Sequence, residues 1–201
     1  MELEELLLQI VSNDEIHSRF LNTLSLQENI GARKISANEQ PDTSTYMVLK
    51  HAAEEHRHAF YLKKQLIKLG EKGCPTYEPK YLLAPYSSRY YLNKLDLLTS
   101  RYLRDHLKLE RTALKFGAYL LVTYAIELRA DELYPVYQSI LNKTRSKVSV
   151  RSIILEEQGH LEEMIVQLKA FSPEWEVHAG YIVLLEKELY ENWIKDLAAA
   201  L

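Results

Sequence analysis

The sequence predicts an all-α protein built on a four-helix bundle. Apolar residues recur at alternating spacings of three and four along four long segments, the pattern of a helix buried along one face. The 201-residue chain contains only 6 glycines and 6 prolines, the residues that most often interrupt helices. No segment alternates apolar and polar residues over the length of a strand. The 201 residues are therefore expected to form one helical domain.

An internal repeat divides the predicted helices into two pairs in series. A shift of 102 positions superimposes several residues of the first half on identical residues of the second half. Two helix pairs joined by a long connection form a natural four-helix core. The matched residues are Glu54 and Glu156, Glu55 and Glu157, His58 and His160, Gln65 and Gln167, and Leu66 and Leu168.

The first pair is expected to follow a short N-terminal packing helix. The segment MELEELLLQIV carries acidic residues beside its apolar run, which is unlike the basic start of a signal peptide. Ser12 and Glu15 then have the spacing of a capping box. They predict that the first long helix begins here and runs to about Ala37.

The second long helix is expected to lie between a break and a glycine. Pro41 and Asp42 interrupt the chain, and Thr43 or Ser44 can cap the helix that follows. Gly70 is a typical stop signal at its end.

The second pair is predicted to lie beyond a long crossover. Residues 71–86 contain three prolines and predict a loop, with helix resuming at about Ser87. The third core helix is expected over 109–134 and the fourth over 146–171. A fifth, C-terminal helix is expected over about 173–197, because proline is well placed at the first position of a helix.

Composition and charge argue against several classes of binding partner and site. The net charge of −3 gives no reason to expect nucleic acid or an anionic membrane as a partner. The one cysteine, Cys74, excludes an intramolecular disulfide framework and a multi-cysteine zinc site. No run of 18 uncharged apolar residues is present, as a membrane-spanning helix would require. These features predict a soluble, cytoplasmic protein.

The chemistry lies in two Glu-x-x-His motifs, each in the middle of an apolar stripe. Such spacing projects both side chains from one face of a helix, one turn apart. Each motif also has a glutamate about one helical hairpin upstream, which folding into an antiparallel pair would return to the same level. The residues that converge are Glu28 with Glu55 and His58, and Glu127 with Glu157 and His160.

Four glutamates inside an apolar bundle would repel one another and bind protons or cations. Burying unpaired carboxylates costs several kcal/mol each. Two divalent metal ions would offset this charge, and carboxylate with imidazole suits iron or manganese. The sequence therefore predicts a dinuclear site with six ligands.

This pattern resembles the di-iron carboxylate proteins of the ferritin-like superfamily, over roughly residues 12–171. In those proteins a Glu from each of two helices joins a Glu-x-x-His from each of the other two. The resemblance implies a ferritin-like four-helix bundle with a long crossover between its second and third helices, plus a C-terminal fifth helix. It also implies an oxidoreductase, or oxygenase, that activates O₂ or peroxide with two iron ions, or with iron–manganese or two manganese ions. A small-molecule substrate and an external electron donor would be its partners.

The residues around the first motif are similar to a more specific pattern. EEHRH looks like the acid-Glu-x-Arg-His motif of bacterial di-iron oxygenases, which implies that Glu54 and Arg57 support the ligands through hydrogen bonds. The second half departs from this pattern, because Gly159 stands where the arginine would be. Of the two acids that directly precede a motif glutamate, Glu54 and Glu156, the second is therefore the weaker candidate for this supporting role.

Three further residues are candidates for the same chamber. Tyr124 precedes Glu127 by one turn and is expected to point towards the ligands, where a glutamate could accept its hydrogen bond. His51 lies one turn before Glu55 and is expected to be a satisfied core histidine, with an extra ligand as the second possibility. Asp131 could accept a hydrogen bond from a ligand histidine.

The same fold and ligand set are compatible with several functions. A ferroxidase or iron-storage subunit would need a large cage, whereas an oxygenase is expected as a monomer or homodimer. A bundle that binds metal without turnover, and a helical bundle that binds no metal, are also compatible with the sequence.

Overall fold

The computed structural model describes residues 2–39, 44–70, 73–157 and 159–201, and these residues form α-helices without any β-strand. The prediction of an all-α fold is confirmed. None of the helices in this part of the chain combines the length and the apolar character needed to cross a membrane. The helices are α1 (Leu3–Val11), α2 (Asp14–Ser36), α3 (Tyr46–Ile67), α4 (Pro85–Leu107), α5 (Arg111–Lys143), α6 (Arg151–Glu157), α7 (His160–Phe171) and α8 (Trp175–Ala199).

The first long helix begins as predicted, but with a different capping residue. The side chain of Asn13 accepts hydrogen bonds from the backbone N–H groups of Glu15 and Ile16. Ser12 instead ends α1, and its hydroxyl donates to the carbonyl of Gln9. Asparagine caps a helix as well as serine does, so the predicted capping box is wrong by one residue while the helix start is right.

The second long helix, α3, is capped by Thr45, whose hydroxyl accepts a hydrogen bond from the N–H of Val48. Ser44, one of the predicted caps, lies just before it. The predicted break at 41–43 lies outside the described residues. At the other end Gly70 adopts a φ of 76°, which is the left-handed conformation typical of a helix stop.

The crossover contains more helix than the sequence predicts. A short 3₁₀ turn at Pro79–Tyr81 precedes α4, which begins at Pro85, two residues before the predicted start. Proline suits the first turn of a helix because its missing N–H would have no partner there. Helix α4 packs against α2, α5 and α8 and so forms one wall beside the core helices.

The third core helix is longer than predicted, because Pro135 does not end it. Proline inside a helix removes one backbone hydrogen bond and costs about 3 kcal/mol. Beyond it, however, Tyr137, Ile140 and Leu141 are buried, and each such side chain contributes about 1.5–3 kcal/mol on burial. Helix α5 therefore continues to Lys143.

The fourth core helix is interrupted at the second motif. The sequence predicts one helix over 146–171, whereas α6 ends at Glu157 and α7 begins at His160. Gly159 lies between them with a φ of 107°, a backbone conformation that residues with a Cβ rarely adopt. The predicted helix is wrong at this point, and the glycine that departs from the first motif is the residue that permits the break.

We expect Gly159→Ala to lower the free energy of unfolding by about 1–2 kcal/mol, because alanine is strained at this φ. No atom of the described residues lies within 4 Å of an added Cβ, so backbone strain alone would account for the loss. Urea denaturation measures the change.

Gly180→Ala is the matched control. Gly180 lies inside α8, where an added Cβ again has no described atom within 4 Å, and alanine should stabilise this helix by about 0.5–1 kcal/mol. Equal effects of the two substitutions would contradict the role given to Gly159.

The packing of the two repeats positions the candidate site. Helix α3 packs against α2, and α6 and α7 pack against α5. The ligand helices of the two halves then meet through side chains, among them the ion pair between Lys50 of α3 and Glu163 of α7. Helix α8 closes the structure against α4 and α5.

Candidate metal centre

All six predicted ligands are brought together in two groups of three. Within each group, one oxygen or nitrogen atom from every residue lies within 4.8 Å of the others. Each group holds two carboxylates and one imidazole, and each combines residues from both helices of one repeat. The groups are Glu28, Glu55 and His58, and Glu127, Glu157 and His160.

The two groups adjoin, so they form one centre. Glu157 of the second group places Oε1 3.1 Å from Nδ1 of His58 in the first group. Its other oxygen, Oε2, lies 2.7 Å from Nδ1 of His160. One carboxylate therefore contacts the histidines of both groups, as a ligand shared by two ions would.

The histidines are held by acids from the opposite half of the chain. Nε2 of His58 lies 2.8 Å from Oε2 of Glu156, and Nε2 of His160 lies 2.9 Å from Oε2 of Glu54. When Nε2–H donates to a carboxylate, the Nδ1 lone pair is left to bind a metal ion, and the acid also fixes the ring orientation. Both leading acids of the repeated motif thus support a ligand, including Glu156, which the sequence ranked lower.

One arginine links these two acids. Nη1 of Arg57 donates to Oε1 of Glu156 over 2.7 Å, and its Nη2 lies 3.9 Å from Oε1 of Glu54. This position explains why Gly159 needs no arginine counterpart, since Arg57 already contacts the acids of both halves. Residue pattern alone could not indicate that a single guanidinium serves both motifs.

Without metal, the carboxylates of the centre suppress one another's ionisation. Burial and the charge of Glu28 raise the pKa of Glu55 well above its ordinary value. Burial and the charge of Glu157 do the same to the pKa of Glu127. Two carboxylates in one low-dielectric site cannot both ionise cheaply, so each group of three keeps a proton that a divalent cation would displace.

The histidines and Glu157 shift in the opposite sense, towards their charged forms. Burial alone would lower the pKa of His160, but hydrogen bonds to Glu127 and Glu157 raise it to about 11. Burial likewise opposes ionisation of Glu157, yet its hydrogen bond with His160 and the nearby imidazole of His58 hold its pKa far below the usual range. The pKa of His58 is raised, because its contacts with Glu157 and Glu28 outweigh desolvation.

One buried nitrogen in the centre has no hydrogen bond within the described part of the chain. Nδ1 of His58 is enclosed and faces the carboxylates, but none of them meets the geometry of a hydrogen-bond partner. Buried polar atoms without partners are rare in native proteins and call for a physical explanation. A metal ion between His58, Glu28 and Glu55 would satisfy this atom.

The tyrosine that contacts the carboxylates is not the predicted one. Tyr124 packs edge-on against Trp175, with ring centroids 5.8 Å apart, and does not line the chamber. Tyr134, two turns beyond Glu127 on α5, is buried and donates its hydroxyl to Oε1 of Glu28. The spacing of seven residues from Glu127 was the signal that could have identified it.

The two remaining candidates lie at the edge of the centre. His51 is a satisfied core histidine, since Nδ1 lies 2.9 Å from the hydroxyl of Tyr119 and Nε2 lies 3.2 Å from Oε2 of Glu163. Its ring stands 5.3 Å from that of His160. Asp131 is exposed, and burial together with the charge of Glu157 raises its pKa.

A cavity of about 310 Å³ adjoins one side of the centre. Glu28, Glu55, Glu127 and Tyr134 line it, whereas neither ligand histidine does. Gly31 also lines it, and an added Cβ there would stand 3.4 Å from Oε2 of Glu55. The carboxylate side of the centre is therefore the side open to a small molecule.

Comparison of the chain with protein-family models, with curated proteins and with solved structures gave no match.

We expect Glu54→Ala and Glu156→Ala each to weaken metal binding about 10- to 100-fold, which is the usual effect of removing a hydrogen-bond partner of a ligand histidine. Titration with Mn²⁺, followed by electron paramagnetic resonance, measures the affinity. Glu162→Ala is the matched control, because Glu162 is exposed on α7. A loss below threefold in both variants would contradict the supporting role of these acids.

Proposed function

We propose that this protein is a ferritin-like dinuclear oxidoreductase that activates O₂ or peroxide. It would bind two iron ions, or iron and manganese, or two manganese ions, between Glu28, Glu55 and His58 and between Glu127, Glu157 and His160. Four carboxylates and two imidazoles are the donor set that suits these metals. The bound metal would supply the one-electron chemistry that amino-acid side chains of this set lack.

The arrangement of the two histidines carries the proposal. Each ring is buried, each Nε2 is held by an acid of the opposite half, and each Nδ1 faces carboxylates. A histidine with only a structural role needs one hydrogen-bond partner on its ring. Here each ring has an acid at Nε2 and carboxylates facing Nδ1, and Nδ1 of His58 still has no hydrogen bond to any described residue. Metal ligation accounts for the orientation of both rings.

The two sides of the centre would have different roles, one in holding the metal ions and the other in admitting a substrate. The histidines and their acids fix the closed side, while Glu28, Glu55 and Glu127 border the cavity where a substrate can approach. The hydroxyl of Tyr134 holds a proton against Glu28. The buried walls limit the access of water, which favours an oxidation over simple hydrolysis.

Metal content tests the proposal first. Protein from cells supplied with iron and manganese should contain about two of these ions per chain, measured by plasma emission. The double variant Glu55→Ala/Glu157→Ala should lose them. The control Glu162→Ala/Glu188→Ala, which removes two exposed glutamates, should keep them. Metal far below one ion per chain, unchanged in the double variant, would refute the site.

Turnover and assembly then separate the candidate functions. An oxidoreductase should consume O₂ when supplied with Fe²⁺ and a reductant, and should elute as a monomer or dimer in size-exclusion chromatography. The cavity beside the carboxylates favours an organic substrate over the iron core of a storage protein. Elution as a large cage would support a ferroxidase or storage subunit, and full metal content without O₂ consumption would support a metal-binding bundle without turnover.

A further inference from the structure

The cavity beside the candidate metal centre is long and narrow. Its lining follows α5 from Lys115 to Tyr134, a distance of about 28 Å at the 1.5 Å rise of a helix. It also follows α2 from Leu24 to Ile35, about 17 Å, and continues to Asn38 just beyond the end of the helix. A cavity of about 310 Å³ lined over such a length suits one extended chain better than a compact ring system.

Apart from the carboxylates of the candidate metal centre and a few polar residues such as Gln27 and Thr123, the walls of the cavity between its two ends are apolar. Apolar side chains from α2, α4 and α5 face the interior, and most of them are buried. They provide no hydrogen-bonding pattern that would select a sugar or a nucleotide, but they favour burial of methylene groups. The residues that define this stretch are Leu24, Ile35, Leu92, Ala118, Val122 and Ile126.

The two ends of the cavity differ in exposure and charge. At one end Lys115 and Ala37 are exposed, so the cavity opens there. Lys34 lies beside this opening, paired with Asp96 over 2.9 Å, and Lys115 forms no ion pair with any described residue. Two ammonium groups against one carboxylate favour an anionic head group at the opening.

The metal centre lies at a defined depth from the opening. Glu127 follows Lys115 by twelve residues on α5, or about 18 Å along the helix axis. The cavity continues about 10 Å further to Tyr134 and is closed at that end by Trp193 and Tyr190. An extended alkyl chain advances about 1.3 Å per carbon, so only an acid of roughly 20 to 22 carbons with its head at Lys115 would pass the carboxylates and reach Trp193.

We propose that this cavity binds an unbranched long-chain carboxylic acid, with the head group at Lys115 and the chain running past Glu127 towards Trp193. The inference that this molecule is the substrate rests on the proposed function, whereas its binding does not. Three features carry the proposal: the length of the cavity, its apolar walls, and a cation at its opening that no described acid pairs with.

Tryptophan fluorescence provides a test that is specific to this cavity. The chain contains two tryptophans. Trp193 lines the cavity, whereas Trp175 packs against Tyr124 outside it. Straight-chain acids with bromine on the terminal carbon quench a tryptophan that they touch. In the Trp175→Phe variant, such an acid should quench Trp193 saturably at concentrations below micelle formation.

Chain length and head group give further expected results. Docosanoic acid should bind more tightly than hexadecanoic acid, and dodecanoic acid should bind weakest, with roughly a tenfold gain for each two carbons that enter the apolar walls. Lys115→Glu should weaken binding of the acids at least tenfold but leave binding of the corresponding alcohols unchanged. Lys147→Glu, a change at a residue that does not line the cavity, should leave the binding of both unchanged.

Blocking the cavity separates this proposal from the proposed function. Ala118→Phe should reduce the affinity for the acids at least tenfold while metal content per chain stays the same, and Ala130→Phe provides a second block in case the first variant does not fold. Saturable binding by protein whose metal content stays far below one ion per chain would support the cavity ligand while the proposed function fails. No saturable quenching by any chain length, or equal quenching of Trp175 in a Trp193→Phe variant, would overturn the cavity ligand whatever the metal content.

Discussion

The metal-free protein is expected to lose stability as the pH rises from 7.5 to 9, and metal binding is expected to abolish this dependence. Burial and neighbouring charge raise the pKa values of Glu55 and Glu127, and hydrogen bonds to carboxylates raise that of His160 to about 11. A group whose pKa is raised by folding contributes stability that is lost as the pH rises towards its folded value. Each retained proton should cost roughly 1–1.5 kcal/mol per pH unit.

Burial lowers the pKa of Lys63, which acts in the opposite sense, but this is one group against three whose pKa values are raised. The buried histidines outside the centre do not contribute in this pH range. Burial lowers the pKa values of His17 and His51, and both are neutral in the folded and unfolded chain above pH 7.5. The pKa of Glu157 is lowered, so its contribution is lost only in acid. Bound metal replaces the protons of the centre, and the folded and unfolded states then bind similar numbers of protons.

Urea denaturation at several pH values, with and without a chelator, measures both slopes. The Glu55→Gln/Glu127→Gln variant should show a flatter profile in the metal-free state, because it removes two carboxyl groups whose pKa values are raised in the folded protein. Stability of the metal-free protein that is constant or rises over this pH range would contradict the described electrostatics of the centre.

Glu186→Ala is expected to destabilise the protein by about 3–5 kcal/mol, the usual consequence of removing one partner from a buried ion pair. Glu186 is 1% exposed. It accepts two hydrogen bonds from Arg129, over 2.9 and 2.7 Å, and another from the hydroxyl of Tyr91. The variant leaves the guanidinium, which stacks 3.9 Å from the ring centroid of Tyr190, without its main counter-charge.

Thermal and urea unfolding measure this loss, with Glu188→Ala as the matched control on the exposed face of α8. The double variant Arg129→Met/Glu186→Leu should recover much of the stability, because apolar residues of similar volume can replace a buried ion pair. A loss below 1 kcal/mol in Glu186→Ala would show that the pair is not buried as described.

The convergence of the six candidate ligands was accessible from sequence because it depends on spacing within regular helices. Glu55 and His58 lie one turn apart on one helix, and the repeat relates them to Glu157 and His160. The upstream glutamates followed from the near-equal lengths of the two helix pairs. These are local rules, and they do not require knowledge of how the two halves pack.

What the sequence missed depends on packing or on single backbone angles. The break between α6 and α7 rests on the φ of Gly159, which no periodicity reveals. Helix α5 passes through Pro135 because buried residues beyond it outweigh the lost hydrogen bond. Tyr124 and Tyr134 lie on the same helix, where the spacing of seven residues places Tyr134 on the face of Glu127, whereas Tyr124 packs against Trp175 of α8.

Each half of the chain supplies an acid that holds a histidine of the other half, so neither half can form its part of the centre alone. His58 of the first half relies on Glu156 of the second, and His160 of the second relies on Glu54 of the first. A single helix pair on its own would therefore present a ligand histidine with no acceptor for its Nε2–H. If the repeat arose by duplication, each copy now depends on an acid supplied by the other. A fragment containing one half would have to associate with the other half before it could hold an ion.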